Sequence, residues 1–264
     1  MKKNLLRIFR DKKKVYPEET GLNWALSLPE DKSTFSISNS YSTMKFQDEF
    51  SKINNFAGYS SSHMSILSVL SLFSTDLPRS YLEIGVNEGL SIYSLLSGIK
   101  FQRLLNFIPI ESKPILEELV LADCWGSEYG GTGRFAHEHI QDLLSSVGNI
   151  KQTTFLNGDS KITLPKFLKE RPIENGNFDF VYVDGDHSYI GAKTDIENIL
   201  PYVGKVLFFD DMYHPAHYKK DNLLELHKEY VRKLKNEYYV FINRHGYGFS
   251  AFIRKTGCDN LFLK

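Results

Sequence analysis

Four carboxylates stand at the ends of two apolar runs in this chain. In the segment FDFVYVDGDHSYIGAKTDIENILPYVGKVLFFDDMYHP, the run Phe178 to Val183 is followed by Asp184 and Asp186. The run Val206 to Phe209 is followed by Asp210 and Asp211. Short β-branched and aromatic runs suit the central strands of a parallel sheet. Strands joined by a right-handed crossover send their C-terminal ends into one crevice. Acids crowded there repel unless a cation or hydrogen bonds offset them. Oxygen ligands select a hard divalent ion, Mg²⁺ first and Mn²⁺ next, and the expected ligands are Asp184, Asp210 and Asp211. A hydroxyl bound to such an ion loses its proton more readily and is held in a fixed direction. His187 lies three residues after Asp184. An imidazole with an ordinary pKa of ~6.5 makes it the expected general base, with Asp184 completing the catalytic pair.

A second constellation lies upstream. YLEIGVNEGLS, from Tyr81 to Ser91, reads as a strand entering a helix. Gly85 permits a sharp exit, and Gly89 lets backbone approach a ligand where the helix begins. The spacing Gly85-x-x-x-Gly89 departs from the dinucleotide fingerprint, because Asn87 fills the place of its middle glycine. That counts against NAD. Glu83 suits the ammonium end of a methionine moiety, which a dinucleotide lacks. Glu83, Gly85, Asn87, Gly89 and Ser91 are therefore expected to hold a cofactor, with Asp184 reaching it from the strand beside them. The ribose hydroxyls call for a later acid. Asp123 in VLADCWG is the choice and Glu111 in FIPIES the competitor, and a plain surface carboxylate would look the same. Trp125 is placed to pack on an adenosine. Asp159 and Ser160, in NGDS, either contact the adenine edge or cap the next helix. Arg134, His137, His139, His214 and His217 are further rim candidates, as are Tyr59, Ser60 and His63.

These residues need a frame, and the pattern around them supplies one. From residue 55 onward strand and helix signals alternate, the mark of a mostly parallel sheet. Strands are expected at Ser80 to Ile84, Leu119 to Ala122, Gln152 to Leu156, Phe178 to Val183 and Val206 to Phe209. Helices fall between them, at Ser91 to Leu96, His137 to Ser146, Ile162 to Lys169, Ala192 to Leu200 and Asp221 to Lys235. Tyr238 to Asn243, the turn HGYG and Phe249 to Arg254 close the chain as an antiparallel hairpin. The predicted fold is α/β, a Rossmann-like seven-stranded sheet with helices on both faces. Residues 1–54, polar and Ser-rich, read as an extension without a core of its own, and 55–264 as the domain.

Bulk properties narrow the classes. The formal net charge is zero, which argues against a nucleic-acid partner bound by bulk electrostatics. Two cysteines, Cys124 and Cys258, make neither a disulfide framework nor a metal site, so a reduced, cytoplasmic setting is expected. No apolar run is long enough for a membrane span. The basic start MKKNLLRIFRDKKK could touch anionic lipid, though a solvated terminus explains it as well. A homo-oligomer is expected.

The pieces LEIGVNEGLS, DCWGSEYGGTGR, NGDS, VDGDHSY and FFDDMYHP together resemble the class I S-adenosylmethionine-dependent methyltransferases. The likeness is to the metal-dependent branch that methylates macrolide sugars and surface glycans. It spans roughly residues 80–215, and the closing hairpin extends it; residues 1–55 lie outside it and 100–118 fit it poorly. The resemblance implies S-adenosylmethionine on the glycine loop, a metal on Asp184, Asp210 and Asp211, and a base at His187. It also implies an acceptor that is a small molecule or a nucleotide-linked sugar. Two rivals remain: methylation of a catechol-like acceptor on the same three-acid plan, and a cofactor-binding partner subunit without turnover.

Overall fold

The computed structural model describes residues 34–36, 66–67, 69–70, 72–73, 76–87, 89–105, 113–125, 136–147, 149–172, 178–212, 223–243 and 248–256. In chain order the elements are β1 (Thr34–Ser36), β2 (Ser80–Ile84), α1 (Leu90–Leu105), β3 (Glu118–Asp123), α2 (Ala136–Val147), β4 (Thr153–Asn157) and α3 (Ser160–Leu168). There follow β5 (Phe178–Val183), α4 (Tyr189–Ile199), β6 (Val203–Phe209), α5 (Leu223–Leu234), β7 (Tyr238–Asn243) and β8 (Phe249–Arg254). One sheet holds all the strands in the order β1-β7-β8-β6-β5-β2-β3-β4. Its pairs are parallel except where β8 runs against β6 and β7.

Strand alternation divides the core between the two faces of the sheet. Leu82, Ile84, Val181, Val183, Leu207 and Phe209 point one way, to meet Leu164 and Leu168 of α3, Ile196 of α4 and Leu226 and Tyr230 of α5. Tyr81, Phe180, Tyr182, Val206 and Phe208 point the other way, to meet Ile92, Leu95 and Ile99 of α1 and Ile140 of α2. A helical stretch within 66–72 seals that second face with Ile66, Val69 and Leu70. Strands covered on both sides must be apolar throughout, which is why these runs are continuous rather than alternating.

The sheet has one strand more than the seven expected. Thr34, Phe35 and Ser36 run parallel beside Val240, Phe241 and Ile242. The segment read as an arm thus covers the edge of β7, and three residues with no apolar alternation gave no local signal of it. The expected strands from Ser80 onward and the closing hairpin are all present, and α1 runs on to Leu105, into the stretch that fits the family pattern poorly. Among the described residues no helix is long and apolar enough to cross a membrane.

Helix α5 turns Leu223, Leu226, His227, Tyr230 and Leu234 inward, an amphipathic stripe that includes an imidazole. The His227 ring lies 5.9 Å from that of Phe252, and neither of its nitrogens has a hydrogen-bond partner among the described residues. Burial, aided by the charge of Lys228, pulls the imidazole down to about 3. An unfolded histidine titrates near ~6.5, so the unfolded chain takes up this proton first, and stability falls as the pH drops from there towards the folded value. His227→Leu should flatten that part of the curve. Urea unfolding of both proteins on either side of pH ~6 measures it, and equal slopes for the two would refute the assignment.

Candidate active site

Strand register aligns the exits from the sheet. Ile84 is level with Ala122 on one side and Val183 on the other, and Val183 is level with Phe209. The ladder continues one residue further. Gly85 N–H donates to the Ala122 carbonyl (2.9 Å), Asp184 N–H to that of Ile84 (2.8 Å) and Asp210 N–H to that of Val183 (3.2 Å). Gly85, Asp184 and Asp210 therefore leave at one edge. Strand order reverses between β2 and β5, and open α/β sheets bind ligands in the crevice at that reversal.

Close approach at the crevice depends on two glycines. Gly85 has φ +82°, and a Cβ there would collide with the carbonyl oxygen of Asp184. Gly89 has φ +75°, and a Cβ there would collide with Ile140 of α2. The space that a side chain at Gly89 would need is thus taken up by helix packing. Between them Asn87 is exposed, with φ +47°. Its conformation is fixed by Asp123, whose Oδ2 accepts from the N–H groups of Val86 (2.7 Å) and Asn87 (3.1 Å). The other carboxylate oxygen accepts from Trp125 N–H at 2.8 Å. Asp123 is therefore at the predicted strand end, and it also organises the glycine loop. Its competitor Glu111 lies outside the described residues.

Glu83 is only 1% exposed, and Ser91 is buried as well. The Glu83 carboxylate accepts from the Tyr81 hydroxyl at 2.9 Å and from Ser91 Oγ. Burial drives its carboxyl well above the usual range; the two hydroxyls oppose this, and the charges of Asp184 and Asp123 add to it. The pair lies beneath the loop, with the carboxylate accepting from both hydroxyls.

Asp159 caps α3, its Oδ1 accepting from Lys161 N–H at 2.9 Å. Of the two roles left open for it in the sequence, the cap is the one found. Ser160 donates to Asp195 of α4 at 2.7 Å. Trp125 packs edge-on to His137 and Phe155, with ring centroids 5.1 and 5.7 Å away. The result is an aromatic wall on the β3–β4 side. Arg134, His214, His217, Tyr59, Ser60, His63 and the side chain of His139 fall outside the described residues.

The acids after β5 and β6 are treated unequally. His187 Nε2 lies 3.1 Å from Asp184 Oδ1, and its Nδ1 lies 3.7 Å from Asp211 Oδ2. These three residues can each present a donor atom within 4.8 Å of the others. Asp210 stands apart from that group. It is 5% exposed, and its oxygens accept from the Tyr182 hydroxyl and from Asp211 N–H (2.8 Å). Two of the three predicted ligands are thus assembled, with His187 where the third was expected, because Asp210 turns toward the buried phenol. Asp186 pairs with Lys161 at 2.8 Å.

Titration follows from this packing. Burial raises the Asp184 carboxyl; the bond to His187 lowers it, and the Asp211 charge raises it. For His187 burial acts downward, but the bond to Asp184 and the charges of Asp184, Asp211 and Asp210 prevail and lift it to about 9. With only carboxylates beside it, the ring is protonated at neutral pH and serves as their counter-charge. The base predicted from sequence is the neutral ring. Tyr182 and Asp195 were missed, although both left a signal. Tyr182 shares the strand face of Glu83, and Asp195 interrupts the buried stripe of α4 that holds Ala192, Ile196 and Ile199.

Fold and site define an α/β ligand-binding domain with a glycine turn and an acidic crevice at the reversal of strand order. Residues 82–212, just under half of the chain, match a family described as a methyltransferase domain. Over those residues the chain is similar to a methyltransferase domain, and the match takes in every site residue named above from Glu83 to Asp211. No curated protein sequence matches it. Solved structures resemble it in outline. An O-methyltransferase from Bacillus cereus in complex with SAH is 15% identical, with 88% of this chain and 95% of that one covered and a TM-score of 0.48. CalS11, a TDP-rhamnose 3'-O-methyltransferase of calicheamicin biosynthesis, is 17% identical, with 82% and 95% covered and a TM-score of 0.48. TomG from Streptomyces achromogenes, an O-methyltransferase of tomaymycin synthesis in complex with SAM, is 17% identical, with 83% and 92% covered and a TM-score of 0.49.

The glycine turn makes a sharp claim. Gly85→Ala puts a side chain against the Asp184 backbone in a left-handed conformation, so it should cost on the order of 3 kcal/mol or more. Gly89→Ala shares the left-handed conformation but meets only the flexible side-chain tips of Ile140 and Leu143, and should cost less. Urea denaturation of both variants gives the comparison, and the reverse ranking would contradict the packing described.

Proposed function

We propose that this chain is an S-adenosylmethionine-dependent O-methyltransferase that uses a divalent ion and acts on a sugar hydroxyl. The acceptor we favour is a nucleotide-linked sugar or a glycan precursor. The observation that carries the reading is the group Asp184, His187 and Asp211 beside the glycine turn of a methyltransferase domain. Two carboxylates sharing one imidazole are an incompletely compensated pair, which fits a cation. Their hard oxygens suit Mg²⁺ first and Mn²⁺ next, and an ion held by the two carboxylates leaves the imidazole to handle the proton. An ion held there would neutralise the acids and lower the pKa of a bound hydroxyl.

The chain's own residues do the rest. Asp123 holds the turn from Val86 to Asn87 in shape by accepting from both N–H groups, so the turn is set before any ligand arrives. In the reaction an acceptor oxygen forms a bond to the sulfonium methyl while the carbon–sulfur bond breaks, leaving a neutral thioether. The hydroxyl proton must depart, and His187 in its neutral form can take it. Alignment of attacking oxygen, methyl and sulfur is the main contribution the scaffold makes. The preference for a sugar rests on the family likeness and on the capacity of neighbouring hydroxyls to chelate. Catechol-like acceptors offer the same pair of oxygens, so they belong in the assay panel.

Asp211→Asn should lower turnover by about 10²-fold with Mg²⁺ or Mn²⁺ while leaving affinity for S-adenosylhomocysteine near wild type. Calorimetric binding and a product assay across sugar and catechol acceptors test this. Undiminished turnover in the variant, or full wild-type activity in excess chelator, would defeat the metal reading. Tight binding of the cofactor product with no methylated product from any acceptor would favour a partner subunit without turnover.

A further inference from the structure

One buried acid near the crevice takes no part in the chemistry above. Asp195 lies on the inner side of α4 and is 0% exposed. Its Oδ1 accepts from Ser160 Oγ at 2.7 Å, the first residue of α3. Its Oδ2 is buried with no hydrogen-bond partner among the described residues. A Cβ built on Gly185 would lie 3.4 Å from that oxygen and 2.9 Å from Ile84 Cγ2. Asp195 is therefore wedged between the turn that follows β4 and the turn that follows β5.

A second link spans the same gap from the solvent side. Lys161, next to Ser160, pairs with Asp186, next to Gly185, at 2.8 Å. The Asp186 carboxyl also packs against Gly191 of α4, where a Cβ would collide with it. An exposed ion pair of this kind contributes little alone. The inner bond is different in kind, because breaking it leaves a buried acid unpaired. Burial already lifts the Asp195 carboxyl to about 6; the Ser160 bond and the Lys161 charge oppose that shift, while Asp186 and Asp159 add to it. A buried acid with one oxygen unpaired lowers stability.

We propose that Asp195 is a positioning residue for the nucleoside half of the cofactor. Through Ser160 and Gly185 it sets the distance between the turns after β4 and β5, the two walls between which an adenosine would lie. The inference rests on the cofactor reading given above, and it assigns to α4 a part in ligand affinity that the catalytic group does not supply.

The test uses calorimetric titration of the full chain with S-adenosylhomocysteine and with 5'-methylthioadenosine, which keeps the nucleoside but lacks the amino acid. Asp195→Ala and Ser160→Ala should each weaken both ligands by about tenfold, equivalent to ~1.4 kcal/mol. The double variant should be no worse than the poorer single one, since one bond is removed. Asp195→Asn keeps an oxygen for Ser160 and should stay within about threefold of wild type, a margin of well under one tenfold step. If Asp195→Ala binds both ligands like wild type while only its melting temperature falls, the residue is merely structural and the proposal is overturned. If Asp195→Ala does not fold, unchanged affinity in Ser160→Ala overturns it instead. Failure of the wild-type chain to bind either ligand would strike the cofactor reading itself, an outcome separate from equal binding by wild type and variants.

Discussion

Carboxylates gathered at the ends of buried parallel strands repel one another, and the crevice is organised around that repulsion. Hydroxyls, backbone N–H groups, a lysine and an imidazole answer these acids. Glu83 receives two hydroxyls, from Tyr81 and Ser91. Asp123 receives three backbone N–H groups. Asp210 takes the Tyr182 phenol and a backbone N–H, Asp186 takes Lys161, and Asp195 takes Ser160. Asp184 and Asp211 share a single imidazole. Among the described residues the pair that shares one imidazole is thus the cluster of Asp184 and Asp211 at the C-terminal end of β5 and β6.

The scaffold makes this arrangement possible by being rigid and dry beneath it. Runs such as FVYV and VLFF are covered on both faces, so their register is pinned by side chains that cannot be exchanged between faces without exposing apolar surface. Pinned register puts Gly85, Asp184 and Asp210 on one level. Glycine at 85 then lets the two central strand ends pass within backbone contact of each other. A side chain at that point would spread β2 from β5 and open the group that the register had assembled.

Much of the frame was legible because its cues are local. Strand and helix periodicity located nearly every element from Ser80 onward, and the two aspartate pairs stood at strand ends, where the fold rules place ligands. The cues failed where a partner distant in sequence decided the outcome. β1 exists because the β7 edge is there to pair with it, and TFS has no pattern of its own. The need for glycine at 89 likewise comes from Ile140, far along the chain, which takes the space a side chain there would fill.

By itself the sequence determined the kind of sheet, the edge at which chemistry would sit and the residue types gathered there, since these follow from apolar periodicity and from the glycines and acids that end each run. Only the tertiary structure decided which acids remain available. Asp210 and Asp211 are neighbours with the same side chain, and no local rule separates them. The left-handed backbone at Asp211 (φ +53°) sends its carboxylate toward His187, while the phenol of Tyr182, brought alongside by sheet register, draws Asp210 inward. Which oxygen is buried and which is free depends on contacts made across the sheet, and those come into being only when the strands pair.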